Sequence, residues 1–424
     1  MSIKYIRFIG LLALVFTAAR GAYAQQTDTL KITFKEAEKA FLDKNLDLLA
    51  SKYNVDASKA LVQQAKLWDN PVISTDQNIT DANKKFFDHS NGGGQVFVQI
   101  SQLIKTAGKR GKQIQIANDG VNIQQAQFND LLRNLHFNLL MDFAQIANLI
   151  DQRKVYQTEI ASATNLVKAT QKSYEVGNNS LKDVIRLKAL LFGLENDLVE
   201  IDRQINELQA ELKTLLVANE TQFIAPQITF NNVDTTLDAA GLALQAKASR
   251  GDYLANRYLL DQNNHNLALQ KALAVPDVTI GSAFDQHSSY ANNYVGLQIS
   301  LPLPLFNRNQ GNIKNAKLVA QSQEYTVQSS EVQLKNDVYS AVNQYRLSQQ
   351  LLSKDQTDFA NKYDQLYRSM QKSFQMKQVN LQEFIDFFDS YRETKLKILQ
   401  QQLNLQKAIA DLNFAVGTTV INPL

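Results

Sequence analysis

The sequence predicts a mainly α-helical fold with a small β part, in which one unit of strand pairs and long helical hairpins is written twice. Three observations lead there. Turn-forming residues are scarce: the 424 residues include only 16 Gly and 6 Pro, well below ordinary usage, so elements are few and long. Apolar residues recur every three or four positions over tens of residues, which is the spacing of one helix face. Short segments also recur at a separation of about 200 residues, the mark of an internal duplication.

The first 24 residues stand apart. Lys4 and Arg7 precede a short apolar run from Phe8 to Phe16, and Ala22-Tyr23-Ala24 is a small-x-small site before Gln25. That order reads as an export leader, too short for a membrane span. With no Cys after the cleavage site, a lipid anchor there is not expected. The whole chain has 44 Lys+Arg against 41 Asp+Glu. The leader holds Lys4, Arg7 and Arg20 and no acid, so the remainder is formally neutral and gives no reason to expect a nucleic-acid partner. With no cysteine at all, an exported chain of this size must be held by packing or by oligomerisation.

After the leader, residues 25–217 read as a first repeat, 218–236 as a linker marked by Pro226 and several Asn, Thr and Asp, and 237–424 as a second repeat. Each unit reads helix, strand, strand, long helix, break, long helix. The first helix runs from Phe34 to Trp68 and its counterpart from Leu237 to Ala274. Strands follow at 72–80 and 94–103, and again at 277–286 and 293–302. The alternation is clearest in Val295, Leu297, Ile299, Leu301 against Tyr294, Gly296, Gln298, Ser300, one apolar face and one polar. Long helices come next, free of Pro from Gln113 to Val176 and from Ile313 to Met376. At 1.5 Å per residue each is on the order of 100 Å long, far more than a bilayer's thickness. They break at tips near 177 and near 378.

The duplication is visible residue by residue. Asn70-Pro71-Val72 is echoed by Val275-Pro276-Asp277, Val98-Gln99-Ile100-Ser101 by Leu297-Gln298-Ile299-Ser300, and Lys109-Arg110-Gly111 by Arg308-Asn309-Gln310-Gly311. Ser180-Leu181-Lys182-Asp183 is echoed by Asn380-Leu381-Gln382-Glu383.

No apolar run of about 18 residues follows the leader, so a membrane-spanning helix is not expected. The other structure that satisfies every backbone group in lipid is a closed barrel. The strands have roughly the length needed to cross a bilayer at a tilt. Four of them cannot close, since the smallest bacterial barrels have eight; three copies pool twelve.

This constellation resembles the TolC-like outer-membrane efflux proteins over nearly all of the chain after the leader. The resemblance rests on the duplicated unit, the Asn70-Pro71 helix exit, the Tyr174-Glu175-Val176-Gly177-Asn178-Asn179-Ser180-Leu181-Lys182-Asp183 break, and the Leu303-Pro304-Leu305-Phe306-Asn307-Arg308-Asn309-Gln310-Gly311 helix entry. That last segment is similar to the branch serving heavy-metal or multidrug pumps of the resistance-nodulation-division type. The resemblance implies a homotrimer: a twelve-strand barrel in the outer membrane continuing into a periplasmic α-helical barrel, working with a periplasmic adaptor (membrane fusion) protein and an inner-membrane pump. The implied function is the passive export of small molecules or metal ions, with no cofactor. The outer duct of a type I protein secretion system remains an alternative, as does a periplasmic coiled-coil scaffold without a barrel.

Candidate sites follow. Gly177 and Ser180 at the first tip, with Asp183, suit a C-cap glycine and a capping box; the resemblance implies that this tip docks the adaptor, as does Asn380 at the second tip, where Lys377 replaces Gly177. Glu383 and Asp386 share roughly one helix face. Acids at a helix start complement its dipole, while the resemblance implies a ring of carboxylates at the periplasmic gate. Phe86, Phe87, Tyr290 and Tyr294 flank the strand loops as interface aromatics. His89, His136, His265 and His287 are scattered without metal-ligand spacing. Neither a G-x-S-x-G nor a phosphate-binding loop is present, so no enzyme is expected.

Overall fold

The computed structural model describes residues 29–80, 86–87, 94–228, 236–351 and 354–422. The leader, His89 and parts of the first strand loop and of the linker lie outside these residues.

The chain starts with β1 (Thr29–Thr33), α1 (Phe34–Lys44) and α2 (Leu46–Ala65). The sequence suggests one helix from Phe34 to Trp68. It divides because Asn45 takes φ −59°, ψ 123° and its side chain caps the Leu48 amide at 3.0 Å. The counterpart divides at Arg250, between α5 (Ala239–Ser249) and α6 (Gly251–Leu273), with a similar backbone angle (φ −69°, ψ 118°) and no side-chain cap.

Strands β2 (Val72–Gln77) and β3 (Val96–Ile104) lead to α3 (Lys109–Glu175), a helix of 67 residues, about 100 Å long. After the first tip, α4 (Leu181–Leu216) runs back alongside it. The short strand β4 (Phe223–Gln227) then pairs in parallel with β1. The stretch 218–236 is therefore more than a linker. Ile224 is fully buried beneath α1 and the middle of α3, and Gln209 pins it by accepting from its amide and donating to its carbonyl. Five residues with a proline carry too little periodicity to announce such a strand.

The second half repeats the order: α5, α6, β5 (Val278–His287), β6 (Asn292–Ser300), α7 (Gln310–Leu351), α8 (Lys354–Gln375) and α9 (Leu381–Val416). Its core of Leu334, Val338, Val342 and Tyr345 mirrors Leu135, Leu139, Phe143 and Ile146 of the first half. A third cluster, with Leu187, Leu194, Phe384 and Phe388, holds the hairpins together towards their tips.

The four longer strands form one antiparallel sheet in the order β2-β3-β5-β6. Its register puts Ile73, Val98, Ile100, Ile280, Phe284, Val295, Leu297 and Ile299 on one face and Asp76, Gln99, Asp285 and Gln298 on the other. On the apolar face Leu297 is 75% and Ile73 70% exposed, which in water would be unfavourable for side chains of that size. On the polar face the Gln99 amide donates to Gln298, and Gln95 donates to Asp285 at 2.5 Å. β2 stops at Gln77 rather than Thr80, where the Asn78 carboxamide takes the Gln95 amide at 2.7 Å; among the described residues an isolated bridge between Thr80 and Phe86 follows. No helix among the described residues is long and apolar enough to cross a membrane.

Candidate functional site at the hairpin tips

The two tips are built alike from different residues. At the first, the Gly177 amide donates to Tyr174 O and the Asn178 amide to Ser173 O, at 2.9 and 2.8 Å, the paired bonds of a Schellman turn. That turn requires a left-handed residue, and Gly177 has φ +78° with nothing within 4 Å of where a Cβ would sit. The helix restarts at Ser180, whose hydroxyl accepts from the Asp183 amide while the Asp183 carboxylate takes the Ser180 amide and hydroxyl. Around the turn, Val176 and Leu181 are exposed.

At the second tip, Lys377 and Gln378 donate to Phe374 O and Ser373 O, so the same turn forms with Lys377 at φ +57°. A side chain in that region carries a steric cost that glycine avoids. Asn380 caps α9 by accepting from the Glu383 amide at 2.9 Å. Its counterpart Ser180 works through a reciprocal box; Asn380 accepts from the Glu383 amide.

Glu383 and Asp386 are both exposed, on the side of α9 opposite the buried Phe384, Ile385 and Phe388. Asp389, the next acid at that spacing, is instead drawn to Arg392 at 3.0 Å. The structure thus brings two of the three acids to the free face and turns the third towards the hairpin contact.

That contact contains a group the sequence reading did not single out. Glu159 on α3 is fully buried, about 27 Å from the tip by helical rise. Neither carboxylate oxygen has a hydrogen-bond partner. Burial pushes its pKa up to about 8, against the pull of Arg392 3.8 Å away and with added repulsion from Asp389. Tyr156, Tyr367 and Tyr391 crowd the same carboxyl, and burial raises all three phenols. A lone Glu between Thr158 and Ile160 leaves no pattern in sequence; the packing of α3 on α9 reveals it.

The candidate interface aromatics divide. Phe86 and Phe87 are exposed at the end of the first hairpin, and Tyr290 is exposed in the turn of the second. Tyr294 lies opposite Asp285 and covers Gly296, so it shares the polar face with Gln298 rather than the apolar one. Phe284, on the apolar row, is the aromatic that alternation would have found. Of the histidines, His136 meets Glu38 at 2.8 Å and His265 meets Asp119 at 2.5 Å; each is a single pair between helices.

Residues 39–217 and 242–418 match the family model described as outer membrane efflux protein. The chain is 21% identical over 319 residues to the cobalt-zinc-cadmium resistance protein CzcC of Cupriavidus metallidurans, covering 75% of this chain and 73% of that one. It superposes on the outer-membrane channel OprN with a TM-score of 0.75 at 14% identity, over 91% of this chain and 89% of the other. The Campylobacter jejuni CmeC outer membrane channel gives 0.74 at 14% identity, over 92% and 87%.

Proposed function

The chain belongs to the outer membrane efflux protein family, and we propose that it is the trimeric, passive duct of a tripartite system that carries small molecules or metal ions from a periplasmic adaptor and an inner-membrane pump to the exterior. As a member of that family it is an outer-membrane channel whose long helices form the periplasmic tunnel.

The observation that carries the proposal is the open four-stranded sheet. β2 and β6 each have one unpaired edge, the apolar face is bare, and the sheet runs straight into helices of bilayer-exceeding length. An open edge is untenable in lipid, and three copies supply twelve strands and remove it. The polar face of Asp76, Gln99, Asp285 and Gln298 then lines a wet passage. Phe86, Phe87 and Tyr290 sit at the strand ends, where aromatic rings favour the headgroup region.

At the other end, the capped tip of Gly177, Ser180 and Asp183, together with Asn380, offers a firm exposed docking point for the adaptor. Glu383 and Asp386 on the free face of α9 supply six carboxylates to a periplasmic gate, and charged rings of this kind select ions. The relative CzcC is a metal resistance protein, which favours metal or small-solute cargo over secreted protein. The two strand pairs and the family match speak against a barrel-less scaffold. The family is one of efflux channels, so the duct is read as a conduit.

The test is export. Cells lacking the chain, with adaptor and pump intact, accumulate a toxic metal or an efflux dye; restoring the chain lowers that accumulation. Accumulation unchanged by restoring it, with every metal and dye the pump exports, sinks the reading.

A further inference from the structure

We propose that Arg110 and Trp68, at the joint between the sheet and the helices, bind the phosphate of an anionic phospholipid in the periplasm-facing leaflet of the outer membrane. This rests on the sheet crossing that membrane, as read above, and adds a ligand and the residues that hold it.

The pair sits where the two parts of the molecule meet. Trp68 lies just after α2 ends at Ala65 and just before β2 begins at Val72. Arg110 is the second residue of α3, shortly beyond the end of β3 at Ile104. With the sheet in lipid and the helices in the periplasm, this joint lies at the level of the inner headgroups. Trp68 is the single tryptophan of the chain and is 64% exposed, with the exposed Leu67 beside it. Water is a poor surrounding for an indole ring, whereas the headgroup level of a bilayer accommodates both the ring and its N–H.

The Arg110 guanidinium lies over the Trp68 ring, 4.4 Å from its centroid. Its Nη2 donates to the carbonyl of Lys66, the cap residue of α2. Among the described residues this is the side chain's one hydrogen bond, and its buried Nε has no partner. Most of the five donors of a guanidinium are therefore unused by the protein. The charge is uncompensated too. The acids of this joint are engaged elsewhere: Asp69 with Lys105 at 3.2 Å and Asp277 with Lys109 at 2.7 Å. Lys66 and Lys112 also lack a carboxylate partner among the described residues; the Lys112 ammonium reaches the Ala107 carbonyl at 2.8 Å. Three uncompensated cations thus cluster within a few residues of one exposed ring. An anion with an apolar body satisfies both, and a planar guanidinium matches a phosphate with paired hydrogen bonds.

The duplication supplies an internal control. Pro71 corresponds to Pro276, so Leu273 stands where Trp68 stands. At that second joint Asn309 ties the helices by donating to Gln270 O at 2.8 Å. The exposed Arg308 beside it packs on no ring among the described residues. A neutral amide and a leucine are enough to close such a joint. The charge and the indole of the first one go beyond what closure requires.

Because Trp68 is the single tryptophan, its fluorescence reads the site directly. The full-length protein is reconstituted into phosphatidylcholine vesicles that carry a fixed fraction of brominated lipid, either phosphatidylglycerol or phosphatidylcholine; bromine quenches indole on contact. The parent is expected to be quenched more strongly by brominated phosphatidylglycerol, with a preference that shrinks as salt is added. Arg110→Asn, which copies the second joint, should lose the preference and be quenched equally by both lipids. Equal quenching in the parent overturns the site whether or not the variant reconstitutes, and so does a preference that survives in Arg110→Asn. If inorganic phosphate shifts the Trp68 emission of the detergent-solubilised parent as much as phosphatidylglycerol does, the site takes a soluble anion and the lipid assignment falls. Vesicle flotation separates the two levels: a chain that does not float refutes the membrane sheet and this site together, whereas one that floats without lipid preference refutes the site alone.

Discussion

The Glu159 carboxylate and the Arg392 guanidinium lie 3.8 Å apart where α3 of the first half meets α9 of the second, and neither oxygen of Glu159 has a hydrogen bond. Burial, the largest influence, raises the acid's pKa to about 8, so the packed state favours the neutral form. Its contribution to stability is complete below the unfolded value near 4.5 and is lost as pH rises through about 8. Glu159→Gln keeps the shape and removes that loss. Thermal unfolding in detergent should show little difference from the unsubstituted protein at pH 4.5 and a gain of a few kcal/mol at most near pH 9. A variant that is less stable than the parent at pH 9 would mean the ionised pair with Arg392 holds the hairpins together.

Lys377 and Gly177 occupy the same left-handed corner of equivalent turns. Lys377→Gly should stabilise the second tip by about 1 kcal/mol through relief of backbone strain. Hydrogen exchange at the amides of Lys377 and Gln378 reads this locally: slower exchange agrees, faster exchange does not.

Gly177→Val tests docking. The substitution places a β-branched residue at φ +78° in open space, at a cost of roughly 1–2 kcal/mol, which the rest of a long helical hairpin can absorb. The expected outcome is intact assembly with impaired export. Normal export with its adaptor would remove the docking role from this tip.

Much of this architecture was legible in the sequence because its signals are periodic and long. Leu187 to Leu212 at helical spacing, Val295 to Leu301 in alternation, and the doubled tip motif each carry many residues saying the same thing. What stayed hidden depends on single residues or on contacts far apart in the chain. Asn45 and Arg250 divide their helices through one backbone angle, and β1 and β4 are five residues each. Of the site, the caps at Ser180 and Asp183 could be read directly, since capping is local. Glu159 could not, because Tyr367, Asp389, Tyr391 and Arg392, which make much of its environment, are more than 200 positions away.

Glu383→Gln/Asp386→Asn tests the gate. Both acids sit on the free face of α9, and their field should be screened by salt. Single-channel recordings in planar bilayers are expected to show reduced cation selectivity and weaker block by multivalent cations added on the periplasmic side. Unchanged selectivity and block would reduce these acids to stabilisers of the helix start.

The central claim is that one chain is a third of a channel. Native mass spectrometry of the detergent-extracted protein measures this directly. Four strands open at both edges predict a complex of three chains that holds together in detergent and precipitates when detergent is removed. A stable monomer in detergent-free water, with its strands intact by circular dichroism, would contradict it.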